Sequence, residues 1–235
     1  MSERRASSVT AKGRKTARAK AGELAARTEI IATAQTMSQR GLSPGRSGNV
    51  SRRWESGMLI TPSGMAYDTI EPADIVYVNA DGTVAPDQRK PSSEWQFHLA
   101  AYAARGDMNA VVHTHSLNAT VLACAHRSIP AFHYMVAAAG GSDIPLVPYA
   151  AFGTRDLAEH VAGGLAARNA CLMANHGAIA LGTSLAAALE LAAEVEILAE
   201  QYLKVLLLGT PHILGASEMA EVLERFKSYG QKAQE

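Results

Sequence analysis

Residues 110–119, AVVHTHSLNA, set two histidines two positions apart at the end of an apolar run. Strand side chains alternate faces, so His113 and His115 leave the same side with roughly 7 Å between their Cα atoms. That spacing suits two ligands of one metal ion. On either side of the strand the apolar period changes to that of a helix. Upstream, SSEWQFHLAAYAAR (92–105) keeps aromatic and aliphatic residues on one face behind serine capping candidates; downstream, NATVLACAH (118–126) predicts a second helix.

Working outward, ELAARTEIIATAQTMSQRG (23–41) has helical spacing with Gly41 as its stop. GNVSRRW (48–54), MLITP (58–62), DIVYVN (74–79) and TVAP (83–86) are short β-like runs separated by turn signals, the pattern of antiparallel hairpins. Beyond the histidines, strands at IPLVPYA (144–150) and ACLMANHG (170–177) flank a helix at TRDLAEHVAGGLAAR (154–168). Helical stretches at 184–209 and 216–230 close the chain, ending in Gly209 and Gly230. Hairpins and helices on a mixed sheet predict one α/β domain: three layers, α/β/α, around a mixed, largely antiparallel central sheet.

The 235 residues, 48% hydrophobic and 19% charged, are enough for a full core. No apolar run approaches the roughly 20 residues of a membrane-spanning helix, and the N-terminus lacks the apolar centre of a secretory signal, so a cytoplasmic protein is expected. Cys124 and Cys171 lie in apolar surroundings without metal or redox spacing and read as buried thiols. The net charge is zero, yet residues 1–28 carry eight Lys or Arg against Glu3 and Glu23. Without interleaved aromatics this basic stretch predicts a disordered or frayed tail over residues 1–22, ahead of a single domain at 23–235, and not a nucleic-acid arm.

A lone histidine on an apolar strand is usually a core or surface residue; a same-face pair is a ligand pattern. ANHGAIALG (174–182) adds His176 at another strand break, followed by Gly177, which lets other groups approach the backbone. Three neutral imidazoles would leave a zinc ion one open position, as in catalytic sites. Glu94 and His98, four apart on a helix, form a competing pair, with His98 read as structural. Glu94 itself has two readings, a cap in the first helical turn or a catalytic carboxylate. GRSGNVS (45–51) and TPSG (61–64) are Gly- and hydroxyl-rich turns able to cradle phosphate, although neither is a P-loop.

Taken in order, GNVS, TPSG, KPSSEW, HTHS, HYMVAAAGG, FGTRDLAEHVA and NHG resemble the class II aldolase/adducin family, over about residues 23–230. The resemblance implies catalytic Zn²⁺ on His113, His115 and His176, with Glu94 nearby and a ligand in the unliganded state. It assigns the phosphate of a ketose 1-phosphate to Gly48, Asn49, Ser63, Gly64, Ser92 and Ser93, although the family enzyme has threonine where Ser63 stands. Tyr134 would come from a neighbouring subunit of a homotetramer. Tyr229, with Phe226 as a further candidate, would lie over the site.

The implied reaction is cleavage of L-fuculose 1-phosphate or a related deoxypentulose 1-phosphate to dihydroxyacetone phosphate and an aldehyde. Metal would stabilise the enediolate, Glu94 would shuttle the C3 proton and Tyr134 would serve the C4 oxygen. The scaffold also hosts pentulose-phosphate epimerases, methylthioribulose-1-phosphate dehydratases and non-catalytic adducin-like modules, which remain alternatives. The retained histidines and Glu94 favour the enzyme.

Overall fold

The computed structural model describes residues 3–227, with side chains from residue 20 onward. Among the described residues thirteen α-helices and β-strands follow one another: α1 (Glu3–Gln39), β1 (Asn49–Trp54), β2 (Gly57–Ile60), β3 (Val76–Val78), α2 (Trp95–Ala104), β4 (Ala110–Thr114) and α3 (Leu117–Cys124), then β5 (Leu146–Val147), α4 (Arg155–Leu165), β6 (Ala170–Met173), β7 (Gly177–Gly182), α5 (Leu185–Leu208) and α6 (Ala216–Phe226). Helix α1 runs across residue 22, where the sequence suggests the basic tail gives way to the domain.

The strands form one sheet in the order β3-β2-β1-β4-β7-β6-β5. Every pairing is antiparallel except β5 with β6. Alternation along the central strands sends residues to two cores. Ala110 and Val112 of β4 and Ala178 and Ala180 of β7 pack with Ile30, Leu189 and Val195 from α1 and α5. Val111, Ile179 and Leu181 pack on the other face with Phe97, Leu157 and Val161 from α2 and α4. This is the three-layer α/β fold expected. Among the described residues no helix is long and apolar enough to cross a membrane.

The run TVAP (83–86) is not a strand. The Asp81 carboxylate accepts hydrogen bonds from the Thr83 amide and hydroxyl, folding the segment into a turn. The Gln88 side chain takes both backbone groups of Tyr77, so a single amide stands where a further strand would pair with edge strand β3. IPLVPYA contributes only Leu146 and Val147, since Pro145 and Pro148 offer no ladder donors. Short 3-10 turns at Tyr67–Thr69, Pro72–Asp74 and Tyr134–Ala139 have no signature among the expected elements.

Candidate metal centre and substrate cavity

Strand register delivers the histidines. His113 is the fourth residue of β4, paired with Asn49 on β1 and Ile179 on β7. His115 follows at the turn into α3, whose first amides, from Asn118 and Ala119, are capped by the Glu196 carboxylate of α5. His176 sits in the β6–β7 turn. That turn is held by Asn175, in the left-handed region at φ 54°, whose side chain bonds His126 at 2.7 Å. Gly177 is required by close approach, because a Cβ there would lie 2.3 Å from the Thr114 carbonyl oxygen.

The three rings converge. One nitrogen from each of His113, His115 and His176 lies within 4.8 Å of the others, and the Nε2 atoms of His113 and His115 are 3.0 Å apart. His113 Nδ1 faces the Ala178 carbonyl oxygen at 2.9 Å. Only an N–H can bond there, so in the neutral ring it is Nε2 that carries the lone pair, on the side of the other rings. Burial, then the charges of His113 and His176, push the His115 pKa down to about 3, keeping that ring neutral near pH 7. Ligands about 2.0–2.1 Å from a tetrahedral zinc stand roughly 3.3 Å apart. The donor set, with its atoms within 4.8 Å of one another, is therefore one that could hold a divalent cation.

Glu94 occupies the N-cap position of α2 but caps nothing with its side chain. Its carboxylate instead turns to the histidines, Oε1 at 2.9 Å from His176 Nε2 and Oε2 at 3.3 Å from His113 Nε2. Of the two readings the sequence left open, cap or catalytic carboxylate, the geometry removes the side-chain cap and sets the carboxylate against the histidines. Burial alone would raise the Glu94 pKa; the facing His113 and His176 outweigh it and hold the carboxyl well below its ordinary range. His98 is fully buried, and both ring nitrogens are engaged by Ser51 and Asn49, so it is no ligand. Burial pushes its pKa down to about 3.

A cavity of about 540 Å³ opens over this cluster. Glu94, His115 and His176 form its floor, Ser63, Gly64 and Ser93 line one side, and Tyr149, Phe152 and Asn175 line the rest with Arg46 and Ser47. The structure thus brings three of the six expected phosphate residues to the cavity surface. The other three stand behind it. The Gly48 amide is bonded to Ser43 Oγ, and Ser92 Oγ accepts from the Glu94 amide. Asn49 Nδ2 donates to Glu94 Oε2 at 2.7 Å.

Arg46 went unread in the sequence. Its guanidinium bonds the Gly64 carbonyl oxygen at 2.9 Å and so spans the two glycine-rich turns. The signal was a lone cation among the glycines and hydroxyls of GRSGNVS, the kind of group that complements an anion. Tyr134 stacks on His133 and is about half exposed, away from the cavity of its own chain. Phe226 packs against the core. Tyr229 lies outside the described residues.

Comparison with known proteins adds the family. The profile of the "Class II Aldolase and Adducin N-terminal domain" matches residues 28–203. The chain belongs to the class II aldolase and adducin family. It is 51% identical over 211 residues to the 5-methylthioribulose-1-phosphate/5-deoxyribulose-1-phosphate aldolase of Rhodospirillum rubrum, covering 90% of this chain and 95% of that one. It is 49% identical over 208 residues to the L-fuculose phosphate aldolase of Escherichia coli, covering 88% and 96%. A solved L-fuculose 1-phosphate aldolase superposes with a TM-score of 0.83 at 38% identity, covering 86% of this chain and 96% of that structure. The histidine cluster of this class II aldolase family member thus sits on a scaffold shared with sugar-phosphate aldolases.

Proposed function

We propose that this chain is a zinc-dependent aldolase that cleaves a ketose 1-phosphate reversibly to dihydroxyacetone phosphate and an aldehyde. The observation that carries the reading is the convergence of His113, His115, His176 and Glu94 beneath a cavity walled by hydroxyls and one arginine. Among the described residues no lysine lines that cavity, which speaks against an imine-forming mechanism. A divalent cation on the three imidazoles would supply Lewis-acid polarisation of the substrate carbonyl and stabilise the enediolate charge.

The remaining chemistry belongs to the chain. Ser63, Gly64, Ser93 and Arg46 hold the phosphate and fix the substrate's distance from the cluster. Gly48, Asn49 and Ser92 support that cradle from behind. Glu94, held ionised, takes the C3 proton in the synthetic direction; in cleavage the protonated acid returns it, by microscopic reversibility. When the C3–C4 bond breaks, the C4 hydroxyl loses its proton, with Tyr134 from a neighbouring subunit as the expected partner. Tyr229 is the further residue proposed to close over the site.

A homotetramer with shared sites agrees with the exposed apolar side chains Leu117, Leu207 and Leu208, 72%, 87% and 90% accessible in the single chain. We place the enzyme in the cytoplasm, with residues 1–22 an appendage unnecessary for catalysis. Two relatives of nearly equal identity act, by name, on different ketose phosphates. L-fuculose, 5-deoxyribulose and 5-methylthioribulose 1-phosphates are therefore the substrates to compare. They differ at the aldehyde end, where one methylene changes binding by about 1–3 kcal/mol. The test is a panel of these phosphates assayed for dihydroxyacetone phosphate with and without chelator. Chelator-sensitive release is expected, and release that survives metal removal refutes the metal-dependent reading.

A further inference from the structure

Behind Glu94 a line of buried polar side chains runs from the cavity floor into the domain. Asn49, Ser51, His98 and Tyr102 are each at most 4% exposed. Tyr102 Oη lies 2.8 Å from Ser51 Oγ, and Ser51 Oγ lies 2.7 Å from His98 Nδ1. His98 Nε2 bonds Asn49 Oδ1, and Asn49 Nδ2 bonds Glu94 Oε2 at 2.7 Å. The line crosses from α2 to β1, back to α2, and again to β1 before ending at the carboxylate.

The direction of every proton follows from the one at the end. An ionised carboxylate only accepts, so Asn49 turns its amide nitrogen toward Glu94 and its oxygen away. That oxygen also only accepts, so His98 carries its hydrogen on Nε2. Nδ1 then offers a lone pair, Ser51 donates to it, and the Tyr102 phenol donates to Ser51. All four donors therefore point toward Glu94. Burying four polar groups is costly unless each bond is made, and a register fixed in this way admits one arrangement.

We infer that His98 is a positioning residue: through Asn49 it pins Oε2 of Glu94, so that Oε1, beside His176 and the cavity, is the oxygen that exchanges a proton with substrate. Its kinetic consequence rests on the aldolase reading; the bond direction does not. A purely structural tie between α2 and β1 would need the contacts but no particular donor at Nε2.

The test separates these roles. Glutamine places an amide nitrogen where imidazole Nε2 stands, whereas asparagine reaches only the Nδ1 position. His98→Gln is expected to keep kcat within roughly threefold of the parent, and His98→Asn to lower it by roughly 10- to 100-fold, the cost of a misplaced catalytic group. The KM for the ketose 1-phosphate and the zinc content should stay unchanged in both. Equal losses in the two variants, tracking a fall in melting temperature, would overturn the inference. Tyr102→Phe, which keeps the ring and removes the outermost donor, should lower kcat by roughly two- to tenfold with KM constant, about the worth of one hydrogen bond.

Long-range ¹H–¹⁵N correlation on ¹⁵N-histidine-labelled protein reads the direction without substrate. A neutral Nε2–H tautomer for His98 is expected, and an Nδ1–H tautomer overturns the inference. If no ketose phosphate is cleaved while the Nε2–H tautomer is present, the aldolase reading fails and the bond direction stands.

Discussion

Glu94 Oε1 stands 2.9 Å from His176 Nε2, although the two residues are 82 positions apart and lie on opposite sides of the central strand β4 in sequence. A carboxylate so placed is neither a helix cap nor a surface acid. It meets the same imidazoles that can hold a metal, and its other oxygen is claimed by Asn49.

Removing its charge tests that placement. Glu94→Gln keeps the shape and one hydrogen-bond acceptor but cannot exchange a proton. Steady-state kinetics should show kcat lower by roughly 10²–10⁴-fold, the usual worth of a general acid–base group, with phosphate-dominated KM changed little. Undiminished turnover with metal bound would show that another group moves the C3 proton.

Arg46 should act on binding instead of turnover. Its bond to the Gly64 carbonyl holds a cation over the hydroxyl-lined wall. A charge-assisted contact is worth about 1.5–3 kcal/mol, so Arg46→Ala should raise KM, and the inhibition constant of inorganic phosphate, by roughly 10- to 100-fold. Arg46→Lys should recover part of that. An unchanged phosphate inhibition constant would put the anion elsewhere.

Gly48 is fixed by space. A Cβ there would come within 2.5 Å of Ser43 Oγ and 2.7 Å of the His113 carbonyl oxygen. The hydroxyl can rotate; the β4 backbone cannot without moving His113. Gly48→Ala should cost about 1–3 kcal/mol in denaturant unfolding, as overpacking does, and lower zinc occupancy. Full stability with full zinc content would contradict the close approach.

Acid should destabilise the metal-free protein. The folded-state pKa of His98 is pushed down to about 3 by burial, against 6.5 in the unfolded chain. Between those values the unfolded state binds the extra proton, so stability is complete above pH 6.5 and falls as pH drops below it. The slope is up to about 1.4 kcal/mol per pH unit for one such group. His115 has the same sign, as has Glu94 below the ordinary carboxylate pKa. Chemical denaturation from pH 8 to pH 4 should show a plateau and then a decline; a rise on acidification would contradict the buried neutral imidazole.

Tyr134 tests the shared site. Tyr134→Phe and Glu94→Gln should each be impaired alone, whereas dissociating and reassembling a mixture should restore part of the activity by forming sites with both residues intact. A mixture no more active than its components would place Tyr134 outside the neighbouring site.

The pairing of His113 with His115 was legible from local periodicity, although β4 ends at Thr114 and His115 stands one residue beyond it; that His176 joins them was implied only by the family resemblance. The sheet's largely antiparallel character was also legible locally, from short runs between turn signals. What escaped depended on which residues meet across the fold. Asn49 faces His113 through the β1–β4 register, which no local pattern encodes. Glu94 and His98 are spaced as a helical pair, yet α2 starts one residue after Glu94, so their side chains part. The β-like composition of Thr83–Pro86 was overruled by Asp81 and Gln88, side chains that satisfied the turn and the sheet edge first.

The central claim is that three imidazoles hold the cation on which carbon–carbon cleavage depends. The most direct measurement is dihydroxyacetone phosphate release from a ketose 1-phosphate by protein stripped of metal and titrated with Zn²⁺, alongside His113→Ala, His115→Ala and His176→Ala. Activity rising to a plateau near one zinc per chain, and absent in all three variants, is the predicted result. Full activity in the stripped protein, or in any variant that binds no zinc, would contradict it.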